Sequence, residues 1–144
     1  VEKRGIFRPQ TAYSDRVALL KLYPGITPDV LELLYERGCR GVFIEGFGLG
    51  GMPFLKNDFI GAVGTVVEKG MLVLVGSQCR YEGSNLSVYE TGRLALEKGV
   101  LQAYDMTAEA AMTKLMWVLG QTDDLREMKE YFSVDIAGEV KIRS

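Results

Sequence analysis

The chain has 144 residues, enough for one ordinary domain, and its 47% hydrophobic and 25% charged residues are the composition of a folded globular protein rather than a disordered one. Seventeen basic against nineteen acidic residues leave a net charge of -2 with no dense basic stripe, which argues against nucleic acid as a direct partner. Histidine is absent, which excludes Ser–His and Cys–His nucleophile pairs and the usual imidazole metal sites, so no metal and no cofactor is expected.

Apolar runs such as Met71–Val75 are far shorter than the roughly 20 residues of a membrane helix, so no membrane partner is expected. Cys39 and Cys79 match neither a zinc spacing nor a disulfide framework and are expected as reduced thiols of a cytoplasmic protein.

Residues 1–16 mix charges with Gly5 and Pro9 without sustained periodicity and read as an interdomain linker or arm, with the domain core over 17–144. The first strand is expected at 17–22. Thr27-Pro28-Asp29 then offers an N-cap, a proline at the first helical position and an acid in the first turn, with Ile26 and Leu31 as a hydrophobic staple.

From here a pattern recurs, in which a helical stretch ends in Glu-basic-Gly and a short apolar run follows. Glu36-Arg37-Gly38, Glu68-Lys69-Gly70 and Glu97-Lys98-Gly99 lie 32 and 29 residues apart, the length of one βα unit. Glycine just past a helix end can take the left-handed conformation, and the cation before it suits the negative end of the helix dipole. The spacing predicts strands at 41–45, 71–76 and 100–104. Leu55, Phe59, Ala62, Val63, Val66 and Val67 have helical spacing, Ser87 and Glu90 form a capping box, and Thr107 can cap a helix that turns Ala108, Ala111, Met112, Leu115 and Leu119 inward. A last helix is expected over about 123–132.

Short apolar runs alternating with helices imply an α/β fold: a small Rossmann-like three-layer domain with a four-stranded parallel sheet and helices on both faces. The strand exits lead into 23–25, 46–53, 77–83 and 105–106. Ligands of open α/β sheets bind at this edge, near a topological switch point, so any small molecule the domain touches is expected at these four loops.

Gly46, Gly48 and Gly51 formally fit the G-x-G-x-x-G phosphate fingerprint. They follow the second strand, Met52-Pro53 intervenes, and no clear ribose-binding acid comes after the next strand, so a tight loop admitting close backbone approach is the preferred reading. Cys79 beside Arg80 can be read as a reactive thiol and Glu45 with Glu82 as an acid–base pair, but a packing cysteine and solvated loop carboxylates are the preferred readings.

Val17–Ile26, the loop Gly46-Phe47-Gly48-Leu49-Gly50-Gly51-Met52-Pro53, Ser77-Gln78-Cys79, Tyr89-Glu90-Thr91-Gly92, Asp105-Met106-Thr107 and Thr113-Lys114-Leu115 are each weak alone. In this order and spacing they resemble the C-terminal domain of type I (cytoplasmic) bacterial L-asparaginases, from about Val17 to the end of the chain. The resemblance implies a parent protein that hydrolyses asparagine to aspartate and ammonia with a threonine nucleophile. The family's Thr-Gly-Gly-Thr segment, second threonine with its aspartate, and lysine belong to an N-terminal domain, and none of them occurs here. The catalytic set is therefore empty, and the chain alone is expected to be inactive.

The resemblance further implies that Gly48, Gly50, Gly51 and Met52, with Tyr89, edge the substrate site, often that of the neighbouring subunit. Gln78 and Cys79 would belong to an effector pocket. The implied partners are the N-terminal catalytic domain, further copies in a homo-oligomer, and a small amino-acid substrate or effector. Two alternatives stand beside this reading: the equivalent domain of the archaeal-type glutamyl-tRNA amidotransferase subunit that releases ammonia from glutamine, and a free-standing module that binds a small amino acid.

Overall fold

The computed structural model describes residues 9–48, 51–52, 58–79, 84–87 and 90–141. Within them β1 (Val17–Lys21), β2 (Gly41–Gly46), β3 (Leu72–Ser77) and β4 (Leu101–Gln102) form one parallel sheet, side by side in chain order. The helices are α1 (Asp29–Glu36), α2 (Phe59–Glu68), α3 (Glu90–Glu97), α4 (Ala108–Gln121) and α5 (Leu125–Phe132).

β2 and β3 are buried almost throughout because they are central and covered on both sides, whereas β1 exposes Leu19 and Lys21 at the sheet's edge. Side chains alternate between two cores. Val42, Ile44, Val73 and Val75 meet α1, α2 and α3, while Phe43, Leu72 and Leu74 meet α4 and α5. Three layers and four parallel strands are thus as expected. The strand order never reverses, so these four strands contain no topological switch point. Three successive crossover helices lie on one face, and only after β4 does the chain pass to the other.

The Glu-basic-Gly triplets do what their residue types suggest. Gly38, Gly70 and Gly99 have φ of +92°, +91° and +88°. The following N–H groups of Cys39, Met71 and Val100 close back on Leu34, Val66 and Ala95, five residues earlier, in the same helix-ending turn each time.

Helix starts are less regular. Thr107 caps α4 as expected, accepting from Ala110 N–H at 3.2 Å. Thr27 does not cap α1: Pro28 is already helical, the main chain closes the first turn from Leu31 N–H to the Pro28 carbonyl, and Asp29 and Glu32 supply the negative charge. Asp58 caps α2 through Gly61 N–H at 2.8 Å, so α2 starts at Phe59; Leu55 lies outside the described residues. Asp124 caps α5, one residue past the expected start. Ser87 gives its hydroxyl to Asn85, and residues 88 and 89 are outside the described residues. β4 is shorter than drawn because the chain turns sharply at Tyr104, which has φ of +52°.

Two segments strap α4. Residues 10–14 lie along it, with Trp117 Nε1 donating to the Gln10 carbonyl at 2.9 Å and Gln121 Nε2 to the Ala12 carbonyl at 2.7 Å. Gly120 permits this approach, since a Cβ there would fall 2.4 Å from the Tyr13 backbone. On another side the tail after α5 folds around Lys114, whose buried ammonium donates to the Val134 carbonyl at 2.6 Å and pairs with Glu139. Lys141 N–H then reaches Asp105 at 2.8 Å, which brings the tail to the carboxyl edge of the sheet.

Candidate functional site

Parallel pairing sends all four strands out of one edge, so the glycine loop after β2 and the turn after β3 stand side by side. Phe47 and Gly51 exchange main-chain bonds, 2.8 Å from Phe47 N–H and 2.6 Å from Gly51 N–H, which closes a tight loop. Gly48 sits at its exposed tip with φ of +49°, a conformation that favours glycine. Gly51 is half-buried, and a Cβ on it would come 3.3 Å from the Phe47 carbonyl. Met52 is buried and packs into the α1–α3 core, which anchors the loop's far end.

After β3, Ser77 donates its hydroxyl to the Gly48 carbonyl and accepts Cys79 N–H at 2.9 Å. Gln78 is part-buried and directs its carboxamide to the carbonyls of Leu22 and Glu45, while Cys79 is exposed. The Glu45 carboxylate lies 3.9 Å from the Lys21 ammonium. Gly50, Glu82 and Tyr89 lie outside the described residues. The other cysteine, Cys39, is buried, and burial pushes its thiol pKa up.

Sequence reasoning missed part of this edge. Beside the β3 turn, a polar cavity of 330 Å³ opens at the exit of β4 among Ser84, Asn85, Gln102, Tyr104, Asp105 and Lys141. Much of its polarity is spent internally: Ser84 N–H donates to the Tyr104 carbonyl at 2.7 Å, and Gln102 binds Ser84 and Leu86 through both ends of its amide. A positive φ at a tyrosine has no composition signal, and only the short turn after β4 hints at it. Ser77 carried a signal of sorts, a hydroxyl directly at a strand exit.

Chemically, the described edge offers backbone groups, small residues and neutral amides that can border a small polar molecule. Among the described residues no group of three or more Cys, Asp or Glu side chains is gathered to hold a metal ion, and no helix is long and apolar enough to cross a membrane.

The model of the glutaminase/asparaginase C-terminal domain family matches residues 16–132. The chain is 48% identical over 128 residues to a glutamyl-tRNA(Gln) amidotransferase subunit of Thermococcus kodakarensis, covering 89% of this chain and 28% of that protein. Among solved structures it resembles the thermostable L-asparaginase of the same organism, with a TM-score of 0.86 and 39% identity over 92% of this chain and 40% of that one. It also resembles L-asparaginase I of Vibrio cholerae, with a TM-score of 0.85 and 27% identity over 96% of this chain and 42% of that one. The chain therefore spans less than half the length of these relatives.

Proposed function

Given that the chain belongs to the glutaminase/asparaginase C-terminal domain family, we propose that it is the lid half of an amidohydrolase that releases ammonia from a small amino-acid amide. In this reading Gly48, Gly50, Gly51 and Met52, with Tyr89, edge the substrate site. A catalytic N-terminal domain of the same protein supplies the nucleophile, and copies associate so that the edge meets its site. The observation that carries the reading is the closed Phe47–Gly51 loop at the sheet's carboxyl edge, which presents backbone to whatever stands there and has no attacking group of its own.

Two amides compete as substrate. The asparagine reading is supported by the fold neighbours, which are L-asparaginases. The glutamine reading, that of an amidotransferase component in the cytoplasm, is supported by the sequence relatives, among them the amidotransferase subunit of Thermococcus kodakarensis at 48% identity over 89% of this chain. Cys79, exposed beside Gln78, is the reachable member of the effector pocket that the family resemblance implies, and calorimetry with asparagine, aspartate and glutamine tests that pocket.

The deciding experiment measures ammonia release from both amides by the 144-residue chain and by the full-length protein that carries it. The chain alone is expected to be silent, and the full-length protein to favour glutamine. Turnover by the chain alone, free of host enzyme, overturns the lid reading; hydrolysis of asparagine with none of glutamine overturns the amidotransferase reading. Gly51→Leu in the full-length protein is expected to weaken activity by crowding the edge beside the Phe47 carbonyl.

A further inference from the structure

Ser77, the last residue of β3, and Gln78 after it hold more of the carboxyl edge than their number suggests. Gln78 Nε2 donates to the Leu22 carbonyl at 2.7 Å and to the Glu45 carbonyl at 2.9 Å, at the exits of β1 and β2. Its main-chain N–H donates to the Gly46 carbonyl at 3.1 Å. The neighbouring Ser77 hydroxyl donates to the Gly48 carbonyl. Carbonyls 45, 46 and 48, which lead into the glycine loop, thus all receive donors from one dipeptide.

The loop's other described restraints lie at its two ends, where Phe47 packs on the α1–α3 core and exchanges main-chain bonds with Gly51. Gly48 and Gly51 carry no side chains, and Met52 anchors only the far end. A carboxamide nitrogen has two N–H groups and no charge, which matches two converging carbonyls; a carboxylate would present acceptors to acceptors, and a thioether would present no donor. These Gln78 bonds all end on carbonyls at the strand exits, so they serve the edge.

We propose that Gln78, assisted by Ser77, is a positioning residue that fixes how the backbone at Phe47, Gly48 and Gly51 stands at the substrate site, and so sets substrate affinity without touching substrate. The proposal rests on the reading of that loop as the substrate-site edge. It assigns the Gln78 amide donors to the protein itself.

The test uses Gln78→Met, which keeps the length and removes the donors, and Ser77→Ala, a milder change that keeps the result interpretable if the first variant folds poorly. In the 144-residue chain, amide exchange at Phe47 and Gly51 is expected to quicken by about tenfold, the factor that one net hydrogen bond carries, with β3 and α4 amides unchanged. In the full-length protein, KM is expected to rise severalfold while kcat per folded molecule stays within about twofold. Unchanged loop exchange overturns the proposal. So does exchange that quickens throughout the sheet, or a lowered kcat with KM unmoved, because both mark a merely structural residue. If the unaltered full-length protein releases ammonia from neither amide, the functional reading fails instead, and exchange at Phe47 and Gly51 still decides whether the dipeptide holds the loop.

Discussion

The two faces of the sheet are held by different means. On the α1–α3 face one device repeats, a helix-ending glycine at φ near +90° followed by a main-chain bond back to the residue five positions earlier. On the α4–α5 face Thr107 and Asp124 cap the helix starts, but neither helix ends in such a glycine turn. There the arm bonds to α4 across separations of 107 and 109 residues, and the tail returns 25 residues to cover a buried lysine. The first face is secured by conformational preferences within single turns, the second by pairings that form only when distant segments meet. The contrast teaches that one sheet can combine a locally encoded layer with one that depends on tertiary closure.

The sharpest way to break this comparison is Lys114→Met. The variant keeps apolar bulk but leaves the Glu139 carboxylate and the Val134 carbonyl without their cation, and the expected loss is about 3 kcal/mol in denaturant unfolding. A loss well under about 1 kcal/mol would mean that apolar packing alone holds this face.

A smaller effect tests the other face. Gly38→Ala and Gly70→Ala each add a Cβ with nothing within 4 Å of it, so the cost is purely that of a left-handed alanine, about 1–2 kcal/mol. The two losses should be equal and additive, because the caps sit in separate turns. Unequal losses in urea unfolding would show that the triplets are not one device.

This difference also explains what could be read in advance. The triplets, the Thr107 cap and the alternating apolar runs are local, so strand count, direction and layering were legible. Lys114 was not, although Ala111 and Leu115 beside it were assigned inward: a lysine at that spacing reads as solvated until Glu139 and Val134 arrive from the tail. Gln78 could be assigned to the right edge as part of a strand exit, but its partners at Leu22 and Glu45 depend on the register of two other strands. The φ of Tyr104 and the unreversed strand order likewise follow from tertiary closure, which no window of sequence contains.

The smallest predicted effect separates the faces by pH. Burial pushes the Glu139 carboxyl up, but the Lys114 ammonium and the backbone N–H groups of Ala137, Glu139 and Ile136 outweigh it and hold the pKa at about 2, against an ordinary 4.5. The folded value lies below the unfolded one, so the tail's charge-linked stability is present above pH 4.5 and is lost as the pH falls through about 2. The glycine caps of α1–α3 are main-chain bonds and carry no such dependence. Followed by NMR, the Glu139 carboxyl carbon and the Ile136 and Ala137 amides should therefore move together with a midpoint near 2, while the amides of Gly38 and Gly70 stay put. In Lys114→Met the midpoint should climb, because the cation is gone while burial still favours the protonated acid. An ordinary midpoint near 4.5 in the unaltered chain would show that Lys114 and Glu139 are not paired in solution, and that the tail closes this face by packing alone.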